Sequence, residues 1–423
     1  MVNRFLLLCY ERRNKNKQIK LHHHGLIMKR LLLSLFLISL PSFALDYGLD
    51  RLSEASVAEK LVGKNLAVLT HAAAVSKSGD HLIDLLFKSY SLKKIFAPEH
   101  GLRTVDDDYI ENGIDEKTGL PVISLYKRGA TSPRPEDLVG IDAIVVDLQD
   151  VGLRYYTYFA TIAKVMIVAA PLNIEVIILD RPNLLGGDII EGKTLDAKLT
   201  GNLTAYHTVP TRHGMTLGEL AQMVNVEKKI NVKLTVITAS GWNRENQLDQ
   251  TERKWIPPSP ALVNISQVGL YAIWGSLENF NVAVGRGKTN ELAFNVLGAP
   301  WITEVESIKL AEALNDLKTP HITFKPYSWL VTREIYKGKT ALGVIVEWDG
   351  NEIRTDEFTY KVAQTLINFF RDRLNISEMS TGTYGSREVV EAIKNGTPWD
   401  EFKLIIDVEI DLFKERRKPY LLY

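Results

Sequence analysis

Residues 143–170 read AIVVDLQDVGLRYYTYFATIAKVMIVAA, and the fold class follows from them. Ala143 to Val146 is an unbroken apolar run rich in β-branched residues, and Thr157 to Ala170 is an apolar helix candidate. Between them lie two aspartates, a glutamine, a glycine and an arginine. A short run without polar alternation suits a strand covered on both faces, the signature of a parallel sheet flanked by helices. Leu66 to Leu69, Lys94 to Ala97, Val176 to Leu179 and Leu234 to Ile237 have the same character, and His81 to Lys88 and Leu217 to Val226 are helix candidates among them. The expected fold is therefore a doubly wound α/β sheet.

In such sheets ligands sit outside the carboxyl ends of the strands. The polar groups that follow each apolar run are Thr70-His71, Pro98-Glu99-His100, Asp147 to Asp150 and Asp180-Arg181-Pro182-Asn183, and they should converge on one edge. Ile256-Pro257-Pro258-Ser259-Pro260 breaks both helix and ladder. It marks a boundary between a first domain, 45–260, and a second α/β domain, 261–423. The clearest elements of the second are a strand at Leu342 to Trp348 and helices at Tyr360 to Phe370 and Trp399 to Lys414.

The 423 residues are 45% hydrophobic and 24% charged, enough for two cores, and formal net charge is zero. That balance is uneven. The first 44 residues hold eight Lys/Arg and only Glu11 against them, leaving 43 basic and 50 acidic residues in the remainder, a net of about −7. An acidic body makes nucleic acid a poor partner. Met28-Lys29-Arg30, the apolar run Leu31 to Leu40 and Ser42-Phe43-Ala44 form an export leader with cleavage expected after Ala44. Residues 1–27, with His22-His23-His24, then read as a non-native upstream extension, with translation starting at Met28. Cys9 is the one cysteine, so disulfides and thiolate chemistry are excluded from the exported protein. The expected location is periplasmic or secreted, with no stable membrane anchor after cleavage.

Carboxylates lead the candidate chemistry. Glu99, beside a proline and an apolar strand end, would be partly desolvated, which favours the protonated form a general acid needs. The Asp147 to Tyr158 segment brings Asp150, Arg154 and Tyr158 with two further tyrosines, a mixture suited to a sugar's hydroxyls and apolar face; helix capping and core tyrosines are its structural alternative. Arg181 could hold a substrate carboxylate or pair with Asp180, and Glu191 is a second candidate carboxylate. Thr216 and Glu219 form a capping box, with His213 just before it. Glu278 and Arg286 open the second domain. Six histidines follow the leader, at 71, 81, 100, 207, 213 and 321, without the spacing of a metal site; no metal or cofactor is expected.

Taken in order, FAPEHGLR (96–103), TGLPVISLY (118–126), VDLQDVGLRYYTY (146–158), DRPNLLGG (180–187), RHGMTLGELA (212–221), WIPPSP (255–260), VGRG (284–287), GAPW (298–301) and YLLY (420–423) resemble the exo-β-N-acetylmuramidases of the NamZ type. The resemblance implies a Rossmann-like domain, a smaller C-terminal α/β domain and an active site in the cleft between them. It also implies a glycoside hydrolase of cell-wall turnover, releasing N-acetylmuramic acid from the non-reducing ends of peptidoglycan fragments. On it, Glu99 is the acid and Glu191 the second carboxylate, with Asp150 behind it. His100, Arg103, Arg154, Tyr158, Arg181, Asn183, His213, Glu278 and Arg286 would line the pocket, one arginine meeting the lactyl carboxylate. The pattern departs at 104–108, 261–264 and 278–281, which border the expected cleft. A periplasmic solute-binding protein for a sugar or muropeptide is the rival reading, since two α/β domains around a cleft also serve capture.

Overall fold

Strand register explains why five strands of the larger sheet read as apolar runs. The computed structural model describes residues 45–102, 111–127, 131–245 and 253–423; the leader, residues 1–27 and Arg103 lie outside them. Among the described residues, β1 (Asn65–Thr70), β2 (Ser91–Ala97), β3 (Gly113–Ile114), β4 (Pro121–Ser124), β5 (Ala143–Asp147), β6 (Glu175–Leu179) and β7 (Leu234–Ile237) form one sheet in the order β3-β4-β2-β1-β5-β6-β7. Every neighbouring pair is parallel except β3 with β4.

Successive side chains enter different cores, as strand geometry demands. Ala67, Leu69, Ile144, Val146, Val176 and Ile178 pack with helices α1 (Tyr158–Ala169) and α2 (Leu217–Glu227). Leu66, Val68, Ala143, Val145, Ile177 and Leu179 pack on the other face with Leu82, Ile83 and Leu86 of the helix Leu82–Ser89. Each such buried Val, Ile or Leu contributes about 1.5–3 kcal/mol relative to exposure. The fold is the α/β sheet expected, and Thr216 does cap α2, its hydroxyl accepting from the Glu219 amide.

The second part is built differently from the first. After α3 (Ser266–Trp274), strands β8 (Val296–Ala299), β9 (Ile322–Leu330) and β10 (Thr340–Trp348) form a small sheet in the order β8-β10-β9, antiparallel throughout. Helices α4 (Thr355–Phe370) and α5 (Trp399–Arg417) follow. One hydrophobic cluster runs from Ala67 to Phe413 through both sheets' surroundings, and residues 45–423 group as one unit. Residues 420–423 return to the parallel sheet: Tyr423 Oη donates to Asp180 Oδ2 at 2.8 Å and accepts from the Ala239 amide at 2.9 Å. No helix among the described residues is long and apolar enough to cross a membrane.

Strand order places the site. From β1 the chain goes to β2 and β4 on one side and to β5, β6 and β7 on the other. Loops leaving β1 and β5 therefore diverge, opening a crevice at their carboxyl ends.

Candidate active site

Glu99 stands on a turn that its own sequence forces. β2 ends at Ala97, and Pro98 cannot continue the ladder as a donor. His100 and Gly101 then adopt left-handed conformations at φ 69° and 71°, with the Gly101 amide donating to the Pro98 carbonyl at 3.0 Å. A histidine at positive φ costs about 1–3 kcal/mol, a strain that clusters at functional sites. The turn leaves Glu99 and His100 half-buried. Oε2 of Glu99 accepts from the Thr157 hydroxyl at 2.5 Å, while Oε1 takes no hydrogen bond among the described residues.

Below this turn the floor is closed by neutral groups. His71, fully buried at the end of β1, has its protonation suppressed mainly by burial, then by Arg181. Its Nε2 accepts from the Gln149 amide at 3.0 Å, so Nδ1 carries the proton and faces the Tyr158 hydroxyl at 3.3 Å. That hydroxyl donates to the Pro258 carbonyl at 2.5 Å. Tyr158 is thus part of the floor and does not contact the crevice.

Tyr271 of α3 packs edge-on against Tyr155, ring centroids 5.3 Å apart. Burial, then the charge of Glu278, the neighbouring Tyr155 and, more weakly, Glu99 hold its hydroxyl well above the usual range; Arg286 acts the other way. Glu278 pairs with Arg286 at 2.8 Å, and both are half-buried. Gly275 permits this arrangement, because a Cβ there would come 2.6 Å from the Tyr271 ring and 2.9 Å from Tyr155. Glu334 accepts from the amides of Val284 and Arg286, fixing the loop that carries Arg286.

Several expected ligands are engaged elsewhere. Arg181 forms a buried pair with Asp147, so the partner is Asp147 and not Asp180, and neither awaits a substrate. Arg154 is 2% exposed, and its terminal nitrogens donate to the carbonyls of Lys193, Val209, Gly382 and Thr383 and to Thr211 Oγ1. It ties the two parts together instead of binding sugar. Asn183 bridges loops, donating to the Met215 carbonyl at 3.0 Å and accepting from the Leu185 amide at 2.9 Å. His213 is buried, accepts from the Met215 amide at 3.2 Å and is pushed down to about 3 by burial, then by Arg417 and Arg154.

Glu191 is engaged where the second part begins its helix α4. Its carboxylate accepts from the Thr355 hydroxyl at 2.6 Å and the Thr355 amide at 3.2 Å, at the first turn of α4, with Arg212 at 3.4 Å. Burial, then the charge of Asp356, pushes its pKa up to about 7 in spite of Arg212 and the Thr355 hydroxyl. It shares no hydrogen-bond partner with Glu99 among the described residues. Nearby, a cavity of about 290 Å³ between Arg212, Gly269, Trp348 and Ile353 lies against the side of α3 that faces away from Tyr271. No member of the Glu99 cluster lines it.

Asp150 is a buried carboxyl above a void that Arg181, Asn183 and Thr216 also line. Oδ1 accepts from the Gly152 amide at 2.7 Å, while Oδ2 has no partner among the described residues. Burial pushes its pKa up to about 7. The unfolded chain would release this proton near pH 4, so between pH 4 and 7 the folded state binds more protons and stability falls as pH rises. Asp150→Asn is expected to stabilise the protein at pH 8 by as much as roughly 4 kcal/mol, read as a rise in the urea midpoint, with the gain shrinking as pH falls toward 4. An equal effect at pH 8 and pH 4 would show that Asp150 is not the titrating group.

Tyr271 and Glu334 escaped the sequence reading, and Thr157, Tyr155 and Arg212 entered it only as members of longer segments, with no role of their own. Thr157 alone carried a signal, as the hydroxyl residue opening a helix.

A doubly wound sheet with a half-buried carboxyl on the turn that follows one of its strands is the layout of an α/β enzyme whose site lies at the sheet's carboxyl edge. The family profiles agree with that class: the N-terminal profile of exo-β-N-acetylmuramidase NamZ matches residues 66–266, and its C-terminal profile matches 269–423. The chain belongs to the NamZ exo-β-N-acetylmuramidase family, a family of glycoside hydrolases. It is 33% identical over 374 residues to the peptidoglycan β-N-acetylmuramidase NamZ of Bacillus subtilis (strain 168), covering 86% of this chain and 88% of the relative. Two crystal structures of DUF1343 family proteins from Bacteroides fragilis NCTC 9343 are similar in fold. One has a TM-score of 0.80 at 31% identity, covering 90% of this chain and 100% of that one. The other has a TM-score of 0.70 at 29% identity, covering 90% and 99%.

Proposed function

We propose that this chain releases N-acetylmuramic acid from the non-reducing ends of peptidoglycan fragments, with Glu99 as the proton donor. The observation that carries the reading is the Glu99 carboxyl itself, half-buried, held through Oε2 and open at Oε1. Glu99 gives its proton to the glycosidic oxygen as the bond to the anomeric carbon breaks. Water supplies hydroxide to that carbon and the proton that restores Glu99. Glu278, ion-paired with Arg286, takes the second carboxylate role, facing the positive charge that develops on the sugar.

The test is hydrolysis of a chromogenic β-N-acetylmuramide by the purified protein beside its Glu99→Gln variant and an EDTA-treated sample. Turnover that survives EDTA and collapses in the variant supports the reading. Tight binding of the sugar by both proteins, without turnover, would put a solute-binding protein in its place.

The reading includes export, with residues 28–44 as the leader. In support, the fold takes up the chain almost immediately after Ala44: the Asp46 amide donates to the Ser240 carbonyl at 3.0 Å and the Ser240 amide returns the bond at 2.8 Å. N-terminal sequencing of the exported protein should begin at Leu45; a retained Met28 would overturn this part.

A further inference from the structure

We infer that Thr157 is the positioning residue of the proton donor, holding Oε2 of Glu99 so that the transferable proton resides on Oε1; this rests on Glu99 being the acid. Thr157 stands immediately before α1, where a threonine hydroxyl ordinarily accepts from an amide of the first turn. Here it does not. Its backbone is already helical at φ −82° and ψ −10°, and it makes no side-chain capping bond. The hydroxyl is directed instead to a carboxylate 58 positions earlier in the chain, at 2.5 Å.

Thr157 can be held in this way because its own surroundings are complete. It is buried, and its carbonyl accepts from the Thr161 amide at 3.0 Å and the Thr161 hydroxyl at 3.1 Å. The side chain therefore has a fixed root, and Glu99, on a loop beyond the strand, is located by a group belonging to a helix. Two consequences follow from the direction of the bond. A hydroxyl that donates to Oε2 occupies that oxygen, so protonation falls on Oε1, which has no hydrogen-bond partner among the described residues. Removing a donor from a carboxylate disfavours its ionised form, so the pH dependence of the reaction reads the contact.

The experiment compares Thr157→Val, Thr157→Ser and Glu99→Gln in the full chain, reading kcat and KM across pH on an aryl β-N-acetylmuramide. Valine keeps the shape and removes the hydroxyl. It is expected to lower kcat about ten- to thirtyfold at the optimum, with KM within about threefold. It should also move the alkaline limb of the profile upward by about one pH unit. Serine restores the hydroxyl and should return all three quantities to within about threefold of the parent. An unmoved limb and unchanged kcat in Thr157→Val, with Glu99→Gln inactive, would overturn the role of Thr157 while leaving Glu99 in place. An active Glu99→Gln would instead remove Glu99 as the acid. Melting temperatures separate a folding defect from either result: a serine variant as stable as the parent but as slow as the valine variant also counts against the inference.

Discussion

Glu99→Gln is expected to lower kcat by about 10³–10⁴-fold on a disaccharide substrate, whose leaving group is a sugar hydroxyl, and by roughly tenfold less on a nitrophenyl glycoside. The difference arises from the leaving oxygen. An alkoxide cannot depart without a proton, whereas a nitrophenolate departs readily, so the acid matters most for the poorer leaving group. KM should change little, because the amide oxygen of glutamine can still accept from Thr157, the bond that locates Oε2. The alkaline limb of the pH profile should vanish together with the acid. Equal losses on the two substrates would contradict proton donation and leave Glu99 a binding role only.

Arg154→Met is expected to destabilise the protein by about 3–5 kcal/mol, read as a fall in the urea midpoint. Methionine fills much of the same space, so packing is largely kept and the lost donors dominate. Four carbonyls and the Thr211 hydroxyl would remain buried without the donors they have now. Each unsatisfied polar group costs about 1–3 kcal/mol, partly recovered by relaxation and water. Against a total stability of about 5–15 kcal/mol the loss is large. Lysine should not rescue, since one ammonium cannot reproduce the planar fork. A change below about 1 kcal/mol would show that the guanidinium is not what joins the two parts.

The parallel sheet was legible because burial on both faces leaves an unbroken apolar imprint, as in Ala143 to Val146. Shorter edge strands leave none. β4 begins with a proline and β3 has two residues. β9 was also missed, since Pro326 interrupts a run whose burial largely alternates. Glu99 was legible from its place after an apolar run at the sheet's carboxyl edge. Arg154 and Arg181 were misread for a physical reason: a strand-end arginine looks the same whether it faces a crevice or a partner far along the chain. Asp147 lies 34 positions from Arg181, and Thr383 lies 229 from Arg154. Local spacing carries no trace of such pairings. The Thr355 partner of Glu191 is likewise 164 positions away.

The Arg154 joint and the return of Tyr423 to Asp180 also govern when the fold can finish. The bonds from Arg154 to Thr383 and from Tyr423 to Asp180 span 229 and 243 positions. Loop closure over such distances comes late, after the entropy of a long chain has been overcome. The parallel sheet can assemble early from neighbouring strands, but its edge contacts stay open until residues beyond 380 arrive. Folding of this chain is thus slow to complete by construction: the parallel sheet must wait, with its edge uncovered, for the last residues to be made.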